Sequence, residues 1–254
     1  MIEVLHLYKY FDGREVLNDV SLTLEAGKAN LIIGQSGSGK TVLMKCLIGL
    51  YTPEKGAILY NDRNFVELKK KDRNVILQEM GVLFQGGALF DSMTVEENVM
   101  FPLTMFTDKS AEEREERVNF CLKRVDLENV NHLYPSQISG GMKKRVAIAR
   151  AISLNPQYLF CDEPNSGLDP KTSLIIDQLI YEITQEYNIT TVINTHDMNS
   201  VMEIGDTVSF ISRGKLAWKG SNKEILDADN EEVLDFIYAS KFAKHLYRKT
   251  HTSD

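Results

Sequence analysis

The sequence predicts an α/β fold built on a parallel sheet, and two observations carry the prediction. Apolar runs at residues 31–33, 56–60, 81–84, 158–161, 190–193 and 207–211 have strand length, and segments of helical periodicity separate several of them. Strands that alternate with helices need crossover connections, which build parallel sheets covered on both faces. In addition, the run at 31–33 leads straight into a glycine loop and then a helical pattern, the order that a phosphate-binding edge requires.

Val20, Leu22 and Leu24 alternate with polar residues, as in a half-buried strand, and Glu25, Ala26 and Gly27 turn the chain into the buried strand 31–33. Gly34, Gln35, Ser36, Gly37, Ser38, Gly39, Lys40 and Thr41 then fit the spacing G-x-x-x-x-G-K-[ST], and residues 42–48 continue as a helix. Such a loop aims backbone N–H groups and a helix N-terminus at phosphates, with Lys40 reaching the terminal phosphate and the Thr41 hydroxyl placed to ligate magnesium. Residues 56–60 end at the turn signal Asn61-Asp62, and the run 81–84 ends at Gln85. The basic run Lys69, Lys70 and Lys71 reads as solvated loop. From about 94 to 154 the period is helical: Thr94 and Glu97 have capping-box spacing, and residues 110–125 intersperse Glu and Arg on a solvated face. Strands return at 158–161, 190–193 and 207–211, with a helix over 170–187. The last segment, 231–248, reads as an amphipathic helix or helix pair with Val233, Phe236, Ile237 and Phe242 on one side, packing on its own domain or on a partner. The expected organisation is one domain over 1–227, with the helical block 94–154 inserted in it, and a tail over 228–254.

The 254 residues, 43% hydrophobic, suffice for a substantial core. A net charge of −7 speaks against sequence-independent nucleic-acid binding, which needs clustered Lys and Arg, so no nucleic-acid partner is expected. Cys46, Cys121 and Cys161 lack CxxC spacing and read as packed thiols in a reducing compartment. No apolar stretch reaches the roughly 20 residues that cross a bilayer, and Glu3, His6 and Lys9 break any leader, so a cytoplasmic chain is expected whose membrane role comes through partners.

The candidate site begins at the strand 158–161, which delivers Asp162 and Glu163 at its carboxyl end, where α/β sheets bind ligands. Asp162 is placed to hold magnesium and Glu163 to polarise a water attacking a γ-phosphate. His196 follows the strand 190–193 at the same edge. Ser139, Gly140 and Gly141 precede a good helix former and cap a second helix N-terminus. One nucleotide needs one cradle, so the second is best explained if it closes over nucleotide held by another subunit.

With these motifs the chain resembles an ATP-binding cassette (ABC) transporter ATPase over residues 2–225. The phosphate loop, Gln85 in the Q-loop, the Ser139-Gly140-Gly141 signature, Asp162-Glu163, the D-loop Ser166-Gly167-Leu168-Asp169 and His196 in the switch loop occur in family order. The resemblance implies a P-loop NTPase (RecA-like) core of ABC type with an antiparallel β subdomain and an inserted α-helical subdomain. It implies ATP and Mg2+, a catalytic set of Glu163, His196 and Gln85, and a magnesium set of Thr41, Gln85 and Asp162. His196 would contact the γ-phosphate and Phe11 would stack on adenine, with Tyr10 as its neighbouring competitor. It also implies a head-to-tail homodimer that sandwiches two ATP molecules between phosphate loops and opposing signatures.

Residues 85–103 are similar to the Mla and Mce-associated ATPases that drive phospholipid transport. Met142 strengthens that likeness, since the general signature has Gln there. A thioether accepts weakly and cannot donate, so any Gln hydrogen bond across the interface is lost. Asn165 is a second departure, without a consequence that the sequence shows. The likeness implies phospholipid transport for outer-membrane lipid asymmetry at the cytoplasmic face of the inner membrane. Permease subunits would dock on 85–103 and 134–136, an Mce-type lipid-binding protein and a small STAS-like protein would assist, and the tail would embrace the opposing subunit. The alternatives are an ABC ATPase for another solute, a soluble non-transport ABC ATPase, which the single cassette without heptads disfavours, and a P-loop kinase, which Glu163 and the second cradle disfavour.

Overall fold

The computed structural model describes residues 1–238. In chain order the elements are β1 (Ile2–Phe11), β2 (Arg14–Leu24), β3 (Ala29–Ile33), α1 (Lys40–Leu47), β4 (Lys55–Tyr60), β5 (Arg63–Asn64), α2 (Lys70–Gln78), β6 (Met80–Leu83), α3 (Val95–Phe106), α4 (Ala111–Arg124) and α5 (Gly140–Ile152). There follow β7 (Tyr158–Asp162), α6 (Pro170–Glu186), β8 (Thr190–Asn194), α7 (Met198–Ile204), β9 (Thr207–Ser212), β10 (Lys215–Gly220) and α8 (Glu231–Ile237).

The strands form two sheets, β2-β1-β4-β5 and β10-β9-β3-β8-β7-β6. The first is antiparallel throughout. In the second, β9, β3, β8, β7 and β6 run parallel and β10 closes one edge antiparallel. Alternation along β3 assigns its two faces. Leu31 and Ile33 pack with Val146, Ile180 and Val201 of the helices. Ile32 joins Leu43 and Leu47 of α1 and Val4 and Leu22 of the antiparallel sheet. Burial on both faces is why these strands read as continuous apolar runs.

Each predicted strand is present, with ends shifted by a residue or more, and the α/β class holds. Five elements were not predicted: the two-residue β5, the seven-residue α7, and β1, β10 and α2. β1 hides because register shifts between Val4 and Leu7 and between Leu7 and Lys9, with His6 at φ +47°, break the period of two. β10, whose two lysines flank its apolar residues, closes the sheet edge. The expectation of loop at Lys69–Lys71 is corrected: Lys69 caps α2 and Lys70 and Lys71 open it. All three are solvent-exposed, and Ile76 is the one buried residue of the helix, so no apolar stripe marks it.

The capping box at Thr94 forms as predicted, Thr94 Oγ1 accepting from Glu97 N–H, and Ser110 with Glu113 forms a second. The three cysteines are free and buried. In α8, Val233 and Ile237 are buried and Phe236 lies 5.4 Å from the Phe210 ring, so this part of the tail packs on its own domain. Phe242 and the rest of the predicted tail helix lie outside the described residues. Among the described residues no helix is long and apolar enough to cross a membrane.

Candidate nucleotide site

The phosphate loop leaves β3, all five residues of which are buried, and enters α1. Gly34 has φ +148°, and a Cβ there would lie 2.2 Å from the Ile211 carbonyl oxygen, so this position requires glycine. A Cβ on Gly37 would meet nothing within 4 Å, so the loop presents its backbone to open space. Gly39 caps α1 without a side-chain hydrogen bond, which leaves the helix N-terminus able to receive an anion. Ser38 Oγ is buried without a partner. Lys40, only 8% exposed, folds back into the loop, where Nζ donates to Gly34 O at 2.8 Å and Gln35 O at 3.0 Å. Burial lowers its pKa, opposed by the nearby Glu163 and Asp162 carboxylates. Thr41 is exposed in the first turn of α1. Gln35 to Ser38 also border a cavity of about 330 Å³ that they share with Ser212, Arg213, Glu232 and Asp235, and that Lys40, Thr41 and Glu163 do not line.

Three parallel strand ends supply the acidic side of the site. Asp162 pairs in register with Asn194 of β8, and Asn194 Nδ2 donates to Asp162 Oδ1 at 3.1 Å. Glu163 follows in the left-handed region at φ +46°, its N–H bonded to Asn194 O at 2.9 Å. Gln85, just past β6, donates from Nε2 to Glu163 Oε2 at 3.0 Å and to Ser166 Oγ at 3.2 Å. His196 Nδ1 lies 3.0 Å from Glu163 Oε1. An ionised carboxylate only accepts, so Nδ1–H is the donor in that contact. Gln85, Glu163 and His196, far apart in the chain, are thus brought onto one carboxylate.

The signature serine behaves as its spacing predicts. Ser139 Oγ accepts from Met142 N–H at 3.2 Å, and Gly140 and Gly141 open α5. A Cβ on Gly141 would lie 2.9 Å from Thr172 Cγ2. This cradle opens on its own cavity of about 660 Å³, lined also by Arg145, Leu168 and Asp169. No residue of the phosphate loop lines it, so within one chain the signature cradle does not open onto that loop.

Phe11, at the end of β1, is 37% exposed, with its ring edge-on to Tyr51 at 5.1 Å and Lys9 Nζ 5.0 Å from its centroid. Tyr10 instead donates from its hydroxyl to Glu15 at 3.0 Å.

Sequence reasoning missed the braces behind Gln85. Lys144 of α5, 6% exposed, donates to the Gln85 backbone carbonyl, and burial lowers its pKa. Arg150, on the same helix, donates to Ala88 O at 2.8 Å and Gly87 O at 2.6 Å. Ala88 and Gly87 both have positive φ, so α5 holds a tightly turned Q-loop by its carbonyls. The only sequence signal was two of the four cations on this helix, Lys143, Lys144, Arg145 and Arg150, indistinguishable from solvated charge. Asn194 was missed too, although a polar residue ending an apolar strand could have marked it.

For a divalent ion the donor set is sparse: among the described residues no group of three or more His, Cys, Asp or Glu could hold a metal. The oxygen donors present, the Asp162 carboxylate and the Thr41 hydroxyl, are of the kind that magnesium takes together with substrate phosphates and waters.

The model of the ABC transporter family matches residues 17–166. The "Probable ribonucleotide transport ATP-binding protein mkl" of Mycobacterium tuberculosis is 39% identical over 236 residues, 93% of this chain and 66% of its own length. The chain therefore spans just under two thirds of that relative. The methionine import ATP-binding protein MetN of Campylobacter jejuni is 35% identical, covering 95% of this chain and 77% of its own. Among solved structures, the dimeric ATP-binding cassette MJ0796 in a post-hydrolysis state with ADP and Pi matches at TM-score 0.79 and 31% identity, over 87% of this chain and 99% of that one. CbiO1 of Clostridium perfringens, part of the ABC transporter complex cbiONQ, matches at 0.84 and 28%, over 97% and 98%. A strand–loop–helix phosphate cradle, a second cradle facing elsewhere and these likenesses together show that the chain belongs to the ABC transporter family and folds as its ATP-binding cassette.

Proposed function

We propose that the chain is the ATP-hydrolysing subunit of a membrane ABC transporter and works as a head-to-tail dimer. The observation that carries this reading is the convergence of Gln85 and His196 on Glu163, beside a phosphate loop onto which the signature cradle of the same chain does not open. The loop N–H groups and the α1 N-terminus bind the triphosphate of ATP, and Lys40 exchanges its two carbonyl partners for phosphate oxygens. Glu163 takes the proton of the attacking water, held in orientation by Gln85 and His196. Asp162, steadied by Asn194, would hold magnesium with Thr41 and Gln85, and the ion would neutralise charge on the phosphates. Phe11, exposed where Tyr10 is engaged, stacks on adenine. The Ser139 cradle of a second copy closes the pocket.

We further propose that the cargo is phospholipid, on the strength of residues 85–103 and Met142. Permease subunits dock on 85–103 and 134–136 and hold the chain at the cytoplasmic face of the inner membrane, with an Mce-type lipid-binding protein and a STAS-like protein as further components. The relatives favour a second reading, a small polar cargo, because their names speak of ribonucleotide transport and methionine import. Mass spectrometry of the gently solubilised complex tests both. Two transmembrane subunits with bound phospholipid support the lipid reading. A complex that lacks phospholipid and carries a polar solute overturns it, and transfer of the γ-phosphate to an acceptor molecule in place of release of inorganic phosphate overturns the ATPase reading.

A further inference from the structure

Asn165, whose consequence the sequence did not show, joins a buried chain of hydrogen bonds. Two residues beyond Glu163, its Nδ2 donates to Ser200 Oγ at 3.0 Å, and Ser200 Oγ donates to Asp177 Oδ2 at 2.8 Å. Ser200 lies in the first turn of α7, four residues after His196, and Asp177 lies on α6; each is 1% exposed. The Asn165 side chain also interacts with the Asp177 carboxyl. Among the described residues, Oδ1 of Asn165 and Oδ1 of Asp177 are buried and accept no hydrogen bond, so the chain of bonds retains two unused acceptors. Buried polar networks of this kind specify one arrangement of the elements they join.

We propose that Asn165, Ser200 and Asp177 form a latch that keeps the loop carrying Glu163 in register with the loop carrying His196, which makes Asn165 a positioning residue for hydrolysis. The inference rests on the roles given to Glu163 and His196 under the proposed function. Those two side chains meet at 3.0 Å, and the His196 side chain is 67% exposed, so little else around the ring fixes the contact. A slip of about 1 Å between the loops breaks it, and misplacement on that scale costs up to about 10²-fold in rate. Asp177→Asn would keep the latch, since its carbonyl still accepts from Ser200 and its amide puts a donor where an unpartnered oxygen stood.

The test is phosphate release against ATP concentration for the full chain and for Asn165→Ala, Ser200→Ala, their double variant and Asp177→Asn, with amide hydrogen exchange of segments 163–168 and 195–200 on the same samples. Each alanine variant should lose about tenfold in kcat while KM moves by less than about twofold. The double variant should be no slower than either single one, because both cut the same chain of bonds. Exchange should quicken in both segments of the alanine variants and stay slow in Asp177→Asn, which keeps its turnover. Should Asn165→Ala not fold, the contrast between Ser200→Ala and Asp177→Asn decides. Alanine variants with turnover and exchange within about twofold of the parent chain, losses that multiply in the double variant, or an Asp177→Asn as impaired as the alanines would each overturn the latch. A parent chain that releases no phosphate rejects the ATPase reading instead, and the exchange pattern then judges the latch alone.

Discussion

Asp177→Asn should stabilise the protein in a pH-dependent way, because Asp177 is a buried carboxyl with no cation beside it among the described residues. Burial raises its pKa from 3.8 to about 6, against hydrogen bonds from Ser200 and Asn165 that lower it. Asp197 and Glu203, before and on α7, raise it further, and on the β7 side it faces the buried Cys161 thiol. The sign follows from proton binding. Between pH 4 and 6 the folded chain holds a proton that the unfolded chain has released, so stability falls as pH rises through that window and is level above it. The rise from 3.8 to about 6 corresponds to about 3 kcal/mol at neutral pH. Asparagine carries no such cost, and in place of the unpartnered Oδ1 of Asp177 it offers an N–H donor to the Asn165 Oδ1. For a chain of this size the gain is about 6 to 12 °C in Tm at pH 7.5, shrinking to nothing near pH 4. Thermal unfolding of the two proteins from pH 4 to 8, at fixed salt and without nucleotide, measures it. A variant less stable at pH 7.5, or a difference that does not change with pH, would refute the reasoning.

Three further outcomes are expected. Glu163→Gln should keep ATP binding and nucleotide-dependent dimers but lose about 10² to 10⁴ in turnover, measured by phosphate release and sedimentation; near-normal turnover removes Glu163 from its role. Lys144→Met should lower kcat with little change in ATP affinity, since it frees the Gln85 carbonyl, and Lys144→Arg should restore most of the rate; equal damage in both argues for a merely structural lysine. The thiols should resist alkylation at pH 7.5 until the chain unfolds, because burial pushes Cys46 up to about 12, Cys121 to about 11 and Cys161 higher still. Rapid labelling of the folded chain would contradict their burial.

How much of this was legible follows from the range of the forces involved. The phosphate loop, the Thr94 capping box and the Ser139 cap are local: a few consecutive residues fix their geometry, and each forms where its spacing placed it. The buried strands were visible because burial on both faces leaves unbroken apolar runs. β1 was lost to bulges, and α2 to a surface position where one buried isoleucine replaces a stripe. The meeting of Gln85 with Glu163, 78 residues apart, depends on the order β8-β7-β6, which spacing alone cannot supply. The Lys144 and Arg150 braces and the Asn165 latch were hidden for a further reason. A Lys, Arg, Asn or Asp reads as solvent-facing until a fold buries it, and only tertiary placement reveals its partner.

The composite pocket is tested most directly by mixing two disabled chains. Lys40→Ala spoils the phosphate loop and Ser139→Glu sets a negative charge where phosphate would meet the signature. Each should be inactive alone, since in a head-to-tail dimer every pocket of either homodimer carries the lesion. Mixed in equal amounts, half the dimers pair one of each and hold one intact pocket, so phosphate release should recover to about a quarter of the parent rate if pockets act independently. A mixture as inactive as its parts, under conditions where exchange of subunits is verified, or full activity of Ser139→Glu alone, would contradict the account.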